Sequence, residues 1–208
     1  GTIIDTGELA AIVGWCEAHA CRLISDEIYH GITYARPCAS AREYGEDAIV
    51  VGSVSKYRSM TGWRLGWLVV PDGTREIIAD LVEVVHSGVA PFVQRAGLAA
   101  IEDTEVVERF RAHCATGRAL ASDALEGLNG VRYTAPRGAF YAFLGVEGLT
   151  DSLDLALKLV AKHGVAVAPG VAFGASGEGS LRVCFAQSPA LMERAMQRLR
   201  DGLRAELR

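Results

Sequence analysis

The sequence has 208 residues, 50% of them hydrophobic and 22% charged, and a formal net charge of −4. Such a chain buries roughly 70% of its unfolded surface, enough for one large domain or one and a half smaller ones. Its mild acidity, without a basic cluster, excludes nucleic acid as an expected partner, and no apolar run approaches the ~18 residues of a membrane span. The five cysteines form no Cys-x-x-Cys motif, so we expect reduced cytoplasmic thiols and neither a disulfide framework nor a metal site.

The first part of the chain predicts a helix followed by a strand. Apolar residues recur at helical spacing from Leu9 to Cys16, which predicts a helix over residues 7–20. The segment 22–24 predicts the strand, and the polar segment 36–48 is typical of a loop with a short helix. This alternation of helix and strand indicates an α/β fold.

Two polar side chains follow the predicted strand. Asp26 and Tyr29 lie three residues apart at its carboxyl end, where α/β proteins place their binding sites. A carboxylate can accept a hydrogen bond from a protonated ring nitrogen of a ligand, and a phenol can donate a hydrogen bond to a ligand oxygen. An ordinary structural explanation also exists, because aspartate caps turns and an aromatic side chain can pack at a sheet edge. The segment alone leaves both explanations open.

The central segment, residues 49–71, combines a lysine with residue types that bind phosphate. Apolar runs at its two ends predict strands, and the polar turn between them contains Ser53, Ser55, Lys56 and Arg64. Hydroxyls and a guanidinium beyond a strand end suit a phosphate, and a lysine beside them suits an imine with an aldehyde cofactor. The alternatives are a solvated lysine, serines that bond their own turn, and the Ser-x-x-Lys pair of a penicillin-recognising hydrolase.

These residues carry a resemblance to a known family. Ser53, Ser55 and Lys56 match the pattern Ser-x-Ser-Lys, and Arg64 follows the lysine by eight residues inside the motif Gly-x-Arg-x-Gly at 62–66. The sequence thus resembles the pyridoxal-phosphate-dependent aminotransferases of fold type I, class I/II, which include aspartate aminotransferase. The resemblance implies that Lys56 holds pyridoxal 5′-phosphate as a Schiff base and then moves the Cα proton of the substrate.

The resemblance also implies roles for the other residues of these segments. Asp26 would contact the pyridine nitrogen of the cofactor, and Tyr29 would contact its ring oxygen. The phosphate would be held by Ser53, Ser55 and Arg64. Of the two serines, Ser53 is the stronger candidate, because the family's phosphate contact lies three residues before the lysine. No metal ion is implied.

The rest of the chain continues the alternation of helices and strands. Helical patterns cover residues 74–87, 91–125, 153–163 and 189–207, and strand patterns cover 130–145 and 180–186. The family has similar segments at 136–141 and 169–174. Arg182 lies in the last apolar strand, and the resemblance implies that it binds the α-carboxylate of the substrate as a bidentate pair. A cross-strand salt bridge is the structural alternative.

The resemblance implies a division of the chain into domains. Residues 1–90 correspond to the second half of the cofactor-binding large domain, a mostly parallel sheet with helices. Residues 91–125 correspond to a long linking helix, and residues 126–208 to a small α+β domain. Gly1 matches the last residue of the family motif Asn-Pro-Thr-Gly. We therefore expect the sequence to correspond to the C-terminal half of a family member.

The resulting prediction is a cytoplasmic, homodimeric transaminase that moves an amino group between an L-amino acid and a 2-oxo acid. Relatives of this fold include carbon–sulfur lyases and the effector domains of some transcription regulators, so these functions stay open as alternatives. A fragment that lacks half of the cofactor pocket and catalyses nothing is a further alternative. The identity of the amino acid does not follow from these motifs.

Overall fold

The computed structural model describes residues 1–207 of the chain. The chain divides into two compact units: an N-terminal unit of residues 3–111, and a C-terminal unit that contains residues 1–2 and everything from residue 112 onward. Each unit combines helices with its own β-sheet. The α/β fold class predicted from the sequence is therefore confirmed.

The N-terminal unit is built on a three-stranded sheet. Its elements are the helices α1 (Thr6–Ala18), α2 (Arg75–His86) and α3 (Pro91–Glu102) and the strands β1 (Ile24–Asp26), β2 (Ile49–Ser53) and β3 (Gly66–Val69). Strands β1 and β2 are parallel, whereas β2 and β3 are antiparallel. The expected mostly parallel sheet is thus mixed within these three strands, because the turn 54–65 reverses the chain without a crossover α-helix.

The two parallel strands end at polar residues. Strand β1 begins two residues beyond its predicted start, so Asp26 is its last residue and lies in register with Val51 of β2. Strand β2 ends at Ser53. Because carboxyl ends of parallel strands meet at one edge of a sheet, the segments that follow Asp26 and Ser53 begin at the same edge.

Helix α1 packs on this sheet through one apolar stripe. Leu9 and Val13, four residues apart on the helix, share a buried cluster with Ala41, Ala48 and Val50. Ala41 begins a short 3₁₀ helix in the loop that was predicted to contain one. The cluster therefore fixes both this loop and the start of β2 against α1.

The helix predicted over residues 91–125 is interrupted at Asp103. Helix α3 ends at Glu102, and a second helix, α4, covers Thr104–Leu125. Asp103 has an extended backbone (φ −79°, ψ 93°), and its carboxylate accepts a hydrogen bond of 3.2 Å from the N–H of Val106. The aspartate caps α4 in this way, so two helices replace the single helix that the pattern predicted.

The C-terminal unit carries a four-stranded sheet in the order β4–β5–β7–β6, with every pair antiparallel. Its elements, besides part of α4, are the strands β4 (Val131–Arg132), β5 (Tyr141–Val146), β6 (Ala168–Pro169) and β7 (Ser180–Cys184) and the helices α5 (Ser152–His163) and α6 (Pro189–Glu206). Gly164 ends α5 in the left-handed conformation (φ 62°), as the sequence predicted.

The two faces of this second sheet differ in character. One face is buried and carries Ala142, Leu144, Leu181 and Val183. Side chains alternate along a strand, so the other face carries Tyr141, Phe143 and Arg182. An arginine and two aromatic rings therefore share the more accessible face of this sheet.

None of the helices within residues 1–207 has the length and apolarity that crossing a bilayer requires. The same residues contain no group of three or more His, Cys, Asp or Glu side chains arranged to hold a metal ion.

Candidate active site

A cavity of about 560 Å³ lies at the carboxyl end of β2 in the N-terminal unit. Ser53, Ser55 and Arg64 line it, and helix α2 adds Arg75 and His86. No aspartate or glutamate is among the described residues that line this cavity. The rest of the lining is mostly apolar. In its polar part, hydroxyls and guanidinium groups without a competing carboxylate favour an anion. The cavity thus brings together the three residues that were predicted to hold a phosphate.

The two serines are joined by short hydrogen bonds. The Ser53 Oγ atom lies 2.8 Å from Ser55 Oγ and 2.9 Å from the carbonyl oxygen of Leu65, and it accepts a 3.0 Å hydrogen bond from the Ser55 N–H. A hydroxyl has one hydrogen, so when Ser53 donates to Leu65 the hydrogen of Ser55 can serve Ser53 or a ligand. The serines therefore support their own turn, as the structural alternative expected, and still leave a donor for an anion.

Arg64 occupies a strained backbone position at the mouth of β3. Its backbone is left-handed (φ 51°, ψ 47°), a conformation that costs a residue with a Cβ atom about 1 kcal/mol or more. Its guanidinium donates a 3.0 Å hydrogen bond to the Thr61 carbonyl. A Cβ atom at Gly66 would lie 2.8 Å from the carbonyl oxygen of Gly52. Gly66 of the Gly-x-Arg-x-Gly motif thus lets β3 approach β2 directly after Arg64.

Lys56 lies beside Tyr29, with its Nζ atom 5.8 Å from the centroid of the tyrosine ring. The chain has three lysines, and the other two, Lys158 and Lys162, form ion pairs with carboxylates. The hydrogen bond to Asp154 raises the pKa of Lys158 and so keeps its amine charged. Among residues 1–207, no carboxylate pairs with Lys56. Lys56 is therefore the lysine best placed to act as a nucleophile.

Arg58 fixes the segment that follows Lys56. Its guanidinium donates hydrogen bonds to the carbonyl oxygens of Ile101, at 2.9 Å, and of Asp103, at the end of α3. It also lies 5.2 Å from the ring centroid of Tyr57. A cation is favourable at the negative end of a helix. These contacts tie the lysine turn to α3, a connection that the sequence did not reveal.

Asp26 is exposed at the end of β1, on the strand next to the serine turn. Its Oδ1 atom accepts a 3.2 Å hydrogen bond from the N–H of Ile28, the turn contact that the structural alternative expected. The structure gives the other carboxylate oxygen no hydrogen-bond partner among residues 1–207. That oxygen is available to accept a hydrogen bond from a ligand, such as the protonated ring nitrogen that was predicted as the partner of Asp26.

Glu27, which has no role in the sequence-based prediction, anchors the turn between Asp26 and Tyr29. Its side chain is buried, and Oε1 accepts hydrogen bonds from Ser25 Oγ (3.0 Å), Ser40 Oγ (3.1 Å) and Ala41 N (2.9 Å). The only sequence signal for Glu27 was its position between the candidate residues Asp26 and Tyr29. Because three donors converge on one buried carboxylate, the turn that positions Asp26 and Tyr29 is held to the neighbouring loop.

Two titratable side chains lie around the Glu27 carboxylate. His30 Nδ1 is 3.2 Å from Oε2 of Glu27. Burial and then the charge of Glu27 raise the pKa of the Cys38 thiol, which keeps the thiol protonated. This cysteine therefore has the character of a structural thiol.

Arg182 belongs to the C-terminal unit and lies in the middle of β7. Its cross-strand neighbours are Phe143 on β5 and Ala168 on β6, neither of which carries a charge. Within residues 112–207, no carboxylate forms an ion pair with its guanidinium. The cross-strand salt bridge that was the structural alternative is therefore absent from this part of the chain.

The serine–lysine pair of a hydrolase is also missing from the N-terminal unit. The Ser53 hydroxyl is engaged by Ser55 and Leu65, and no hydrogen bond joins it to the amine of Lys56 among the described residues. A serine nucleophile needs such a bond to its base. The geometry therefore does not support the Ser-x-x-Lys alternative.

Comparison with known proteins gives a consistent result along the chain. The family model for aminotransferase class I and II matches residues 1–199. A valine–pyruvate aminotransferase of Mycobacterium tuberculosis is 40% identical over 209 residues, and an aspartate aminotransferase of Pyrococcus horikoshii is 32% identical over 212 residues. These matches cover 98% and 99% of this chain but 54% of each relative. The chain therefore spans about half the length of the relatives that it matches.

Solved structures agree with the sequence comparison. The crystal structure of an aminotransferase from Mycobacterium tuberculosis matches with a TM-score of 0.90 at 39% identity, covering 98% of this chain and 54% of that one. An aromatic aminotransferase from Pyrococcus horikoshii matches with a TM-score of 0.91 at 30% identity, covering 99% and 57%. The likeness extends over both units described above.

Proposed function

Because the chain belongs to the class I and II aminotransferase family, we propose that it serves to move an amino group between an L-amino acid and a 2-oxo acid. Members of this family depend on pyridoxal 5′-phosphate. The observation that carries the proposal is the position of Lys56. Its amine lies beside Tyr29 and forms no ion pair among the described residues. Ser55, the residue before it, lines the anion-favouring cavity.

The residues of the N-terminal unit fit the chemical groups of that cofactor. Ser53, Ser55 and Arg64 line a cavity to which the described residues contribute no carboxylate, which supports binding of a phosphate dianion. Asp26 has a carboxylate oxygen to offer to a protonated ring nitrogen. Tyr29 carries a phenol next to the lysine, which supports its predicted contact with the ring oxygen. We therefore assign these five residues to cofactor binding, together with Lys56.

The cofactor, when bound, supplies the electron sink that allows an amino acid to lose its Cα proton. We assign two tasks to the ε-amine of Lys56: covalent attachment of the cofactor, and removal of the proton from the substrate Cα once the amine is released. Asp26 keeps the ring nitrogen protonated, and Arg64 holds the phosphate by charge and hydrogen bonds.

We assign the α-carboxylate of both substrates to Arg182, because a guanidinium fork matches a carboxylate in a bidentate arrangement. We also expect a homodimer in the cytoplasm, as the resemblance implied. The relatives named above are all aminotransferases, which favours amino transfer over the carbon–sulfur lyase and regulator alternatives.

Borohydride trapping tests the proposal directly. The 208-residue chain is incubated with pyridoxal 5′-phosphate, reduced, digested and analysed by peptide mass. We expect a single adduct on the peptide that contains Lys56. Lys56→Arg should abolish this adduct. Lys158→Arg is the matched control and should leave it unchanged, because Lys158 is held in an ion pair.

Two other results would contradict the proposed cofactor site: an adduct distributed over all three lysines, or no adduct. The inactive-fragment alternative has its own readout. Formation of the Lys56 adduct without conversion of any supplied L-amino acid to its 2-oxo acid would show that the chain binds the cofactor but does not complete amino transfer.

A further inference from the structure

The guanidinium of Arg182 lies over two aromatic rings. Its Cζ atom is 4.3 Å from the ring centroid of Tyr141 and 4.3 Å from the ring centroid of Phe173. Tyr141 precedes Phe143 by two residues on β5, so its ring lies on the same sheet face as Arg182. Phe173 comes from the short 3₁₀ helix Gly170–Phe173. Two separate elements therefore contact the guanidinium at stacking distance.

The segment that carries Phe173 is held firmly. The N–H of Val171 donates a 3.1 Å hydrogen bond to the Oγ atom of Ser152, a fully buried side chain at the start of α5. Gly170 allows the close approach of the following turn, because a Cβ atom there would lie 1.9 Å from the carbonyl oxygen of Gly177. These contacts thus fix the backbone of the segment that carries the Phe173 ring.

Glu178 and Phe143 make further contacts around this segment. The carboxylate of Glu178 accepts hydrogen bonds from the N–H groups of Ser152, at 2.7 Å, and of Gly179, at 2.8 Å. The ring of Phe143 meets that of Phe173 edge-on, with centroids 5.7 Å apart. Phe143 is also the cross-strand partner of Arg182. Phe143 is therefore next to both the ring of Phe173 and the backbone of Arg182.

Ring contacts of this kind restrict what an arginine can bind. A guanidinium is planar, its N–H groups all point outward in that plane, and aromatic rings interact with its faces. Rings that cover the faces leave the edge as the accessible part. The edge presents two parallel N–H donors, which match the two oxygens of a carboxylate. The rings also restrict rotation of a long side chain, whose freedom would otherwise be lost when a ligand binds.

We propose that Tyr141 and Phe173 are positioning residues that hold the Arg182 guanidinium between their rings, so that its edge binds a substrate carboxylate. This inference rests on the proposed function for the identity of the substrate, a 2-amino or 2-oxo acid. The positioning itself depends only on contacts within the C-terminal unit. The two rings act through Arg182 and need no contact with the substrate.

The test compares ring-deleting with ring-retaining substitutions. Phe173→Leu and Tyr141→Leu each remove one ring, whereas Phe173→Tyr and Tyr141→Phe keep it. Phe173 is 44% exposed, so leucine and tyrosine can both be accommodated there. Two quantities are measured on the 208-residue chain: the NMR order parameter of the Arg182 Nε–H bond, assigned with Arg182→Lys, and the Kd for pyruvate.

We expect an order parameter near 0.8 in the unsubstituted chain, a fall below about 0.6 in both ring-deleting variants, and no fall in the ring-retaining variants. The Kd for pyruvate should rise about tenfold on ring deletion and change less than about twofold when the ring is kept. A backbone NMR spectrum that matches the unsubstituted chain verifies folding. If one leucine variant unfolds, the other provides the same comparison.

Several results would overturn the inference. A mobile Arg182 side chain in the unsubstituted chain would do so, and so would ring deletion that leaves both quantities unchanged. Failure of the unsubstituted chain to bind pyruvate would overturn the carboxylate assignment. These outcomes are independent of trapping at Lys56: a rigid Arg182 that binds pyruvate, without any cofactor adduct, would refute the proposed function and retain the positioning role.

Discussion

The amine of Lys56 lies 5.8 Å from the ring centroid of Tyr29, although the two residues belong to turns that follow different strands. The ring of Tyr29 accounts for this contact with Lys56, so the role of its hydroxyl can be tested separately. We predict that Tyr29→Phe, which keeps the ring, weakens pyridoxal 5′-phosphate binding about tenfold through loss of one hydrogen bond. Binding is measured by titration of cofactor absorbance, and an unchanged Kd would argue against a contact of the phenol with the cofactor.

Lys56→Ala should lower the rate of transamination at least about 10²-fold, because both cofactor attachment and proton transfer depend on the amine. The fold should persist, since Lys56 forms no ion pair among residues 1–207 and its removal leaves no carboxylate unpaired. Circular dichroism and thermal unfolding check the fold, and amino transfer is followed by formation of the 2-oxo acid. Substantial retained activity would refute the assignment.

Arg64→Gly should weaken cofactor binding without a large change in the stability of the fold. Glycine adopts the left-handed conformation of residue 64 without a steric penalty, so the free energy of unfolding should change by less than about 1 kcal/mol. Loss of the guanidinium should raise the Kd for pyridoxal 5′-phosphate roughly 10- to 100-fold, the usual range for a hydrogen bond to a charged group. Urea unfolding and cofactor titration provide the two measurements.

Arg182→Ala is the matched control for Arg64→Gly. It should leave the Kd for pyridoxal 5′-phosphate unchanged and raise KM for amino acids and 2-oxo acids alike, because a carboxylate is common to both substrates. Equal effects of the two substitutions on cofactor and substrate would show that neither arginine has a separate role.

Glu27→Gln should destabilise the N-terminal unit by about 1–3 kcal/mol. The substitution replaces a buried acceptor of three hydrogen bonds by an amide that carries donors of its own. Urea unfolding measures the change, and Glu46→Gln, at an exposed position of the neighbouring loop 36–48, is the control. A loss smaller than about 0.5 kcal/mol, similar to an ordinary surface substitution, would mean that the network does not anchor the turn.

Acid should weaken the C-terminal unit through Glu206. Hydrogen bonds from His163 and then from Lys162 hold the pKa of its carboxyl below the ordinary value of 4.5. A carboxyl with a lowered folded-state pKa stabilises the fold fully above the unfolded value and loses this effect as the pH falls through the folded value. Glu206→Gln should therefore lower Tm at pH 7 and flatten the decline of Tm below about pH 4.5.

Thermal unfolding across pH 3–7 measures this effect, with Glu193→Gln as a control at an exposed position of α6. If the two variants show the same pH dependence, the carboxylate of Glu206 does not link α6 to α5.

Local sequence patterns predicted most of the elements, because their physical causes are local. Helical spacing placed α5 and α6 to within a residue or two, and Gly164 marked the end of α5, since glycine reaches the left-handed conformation without a Cβ clash. The same reasoning could not detect the break at Asp103. A helical pattern continues through it, and only the hydrogen bond to Val106 turns the aspartate into a cap.

For the candidate site, the sequence alone determined the residue types and their spacing: a lysine after two serines, an arginine between two glycines, and an arginine in an apolar strand. Only the tertiary structure decided that Ser53, Ser55 and Arg64 share one cavity and that Glu27 is buried. It also decided that aromatic rings, rather than a carboxylate, meet Arg182. The physical reason is that burial and stacking depend on residues brought together from distant parts of the chain, whereas spacing and backbone preference belong to the local segment.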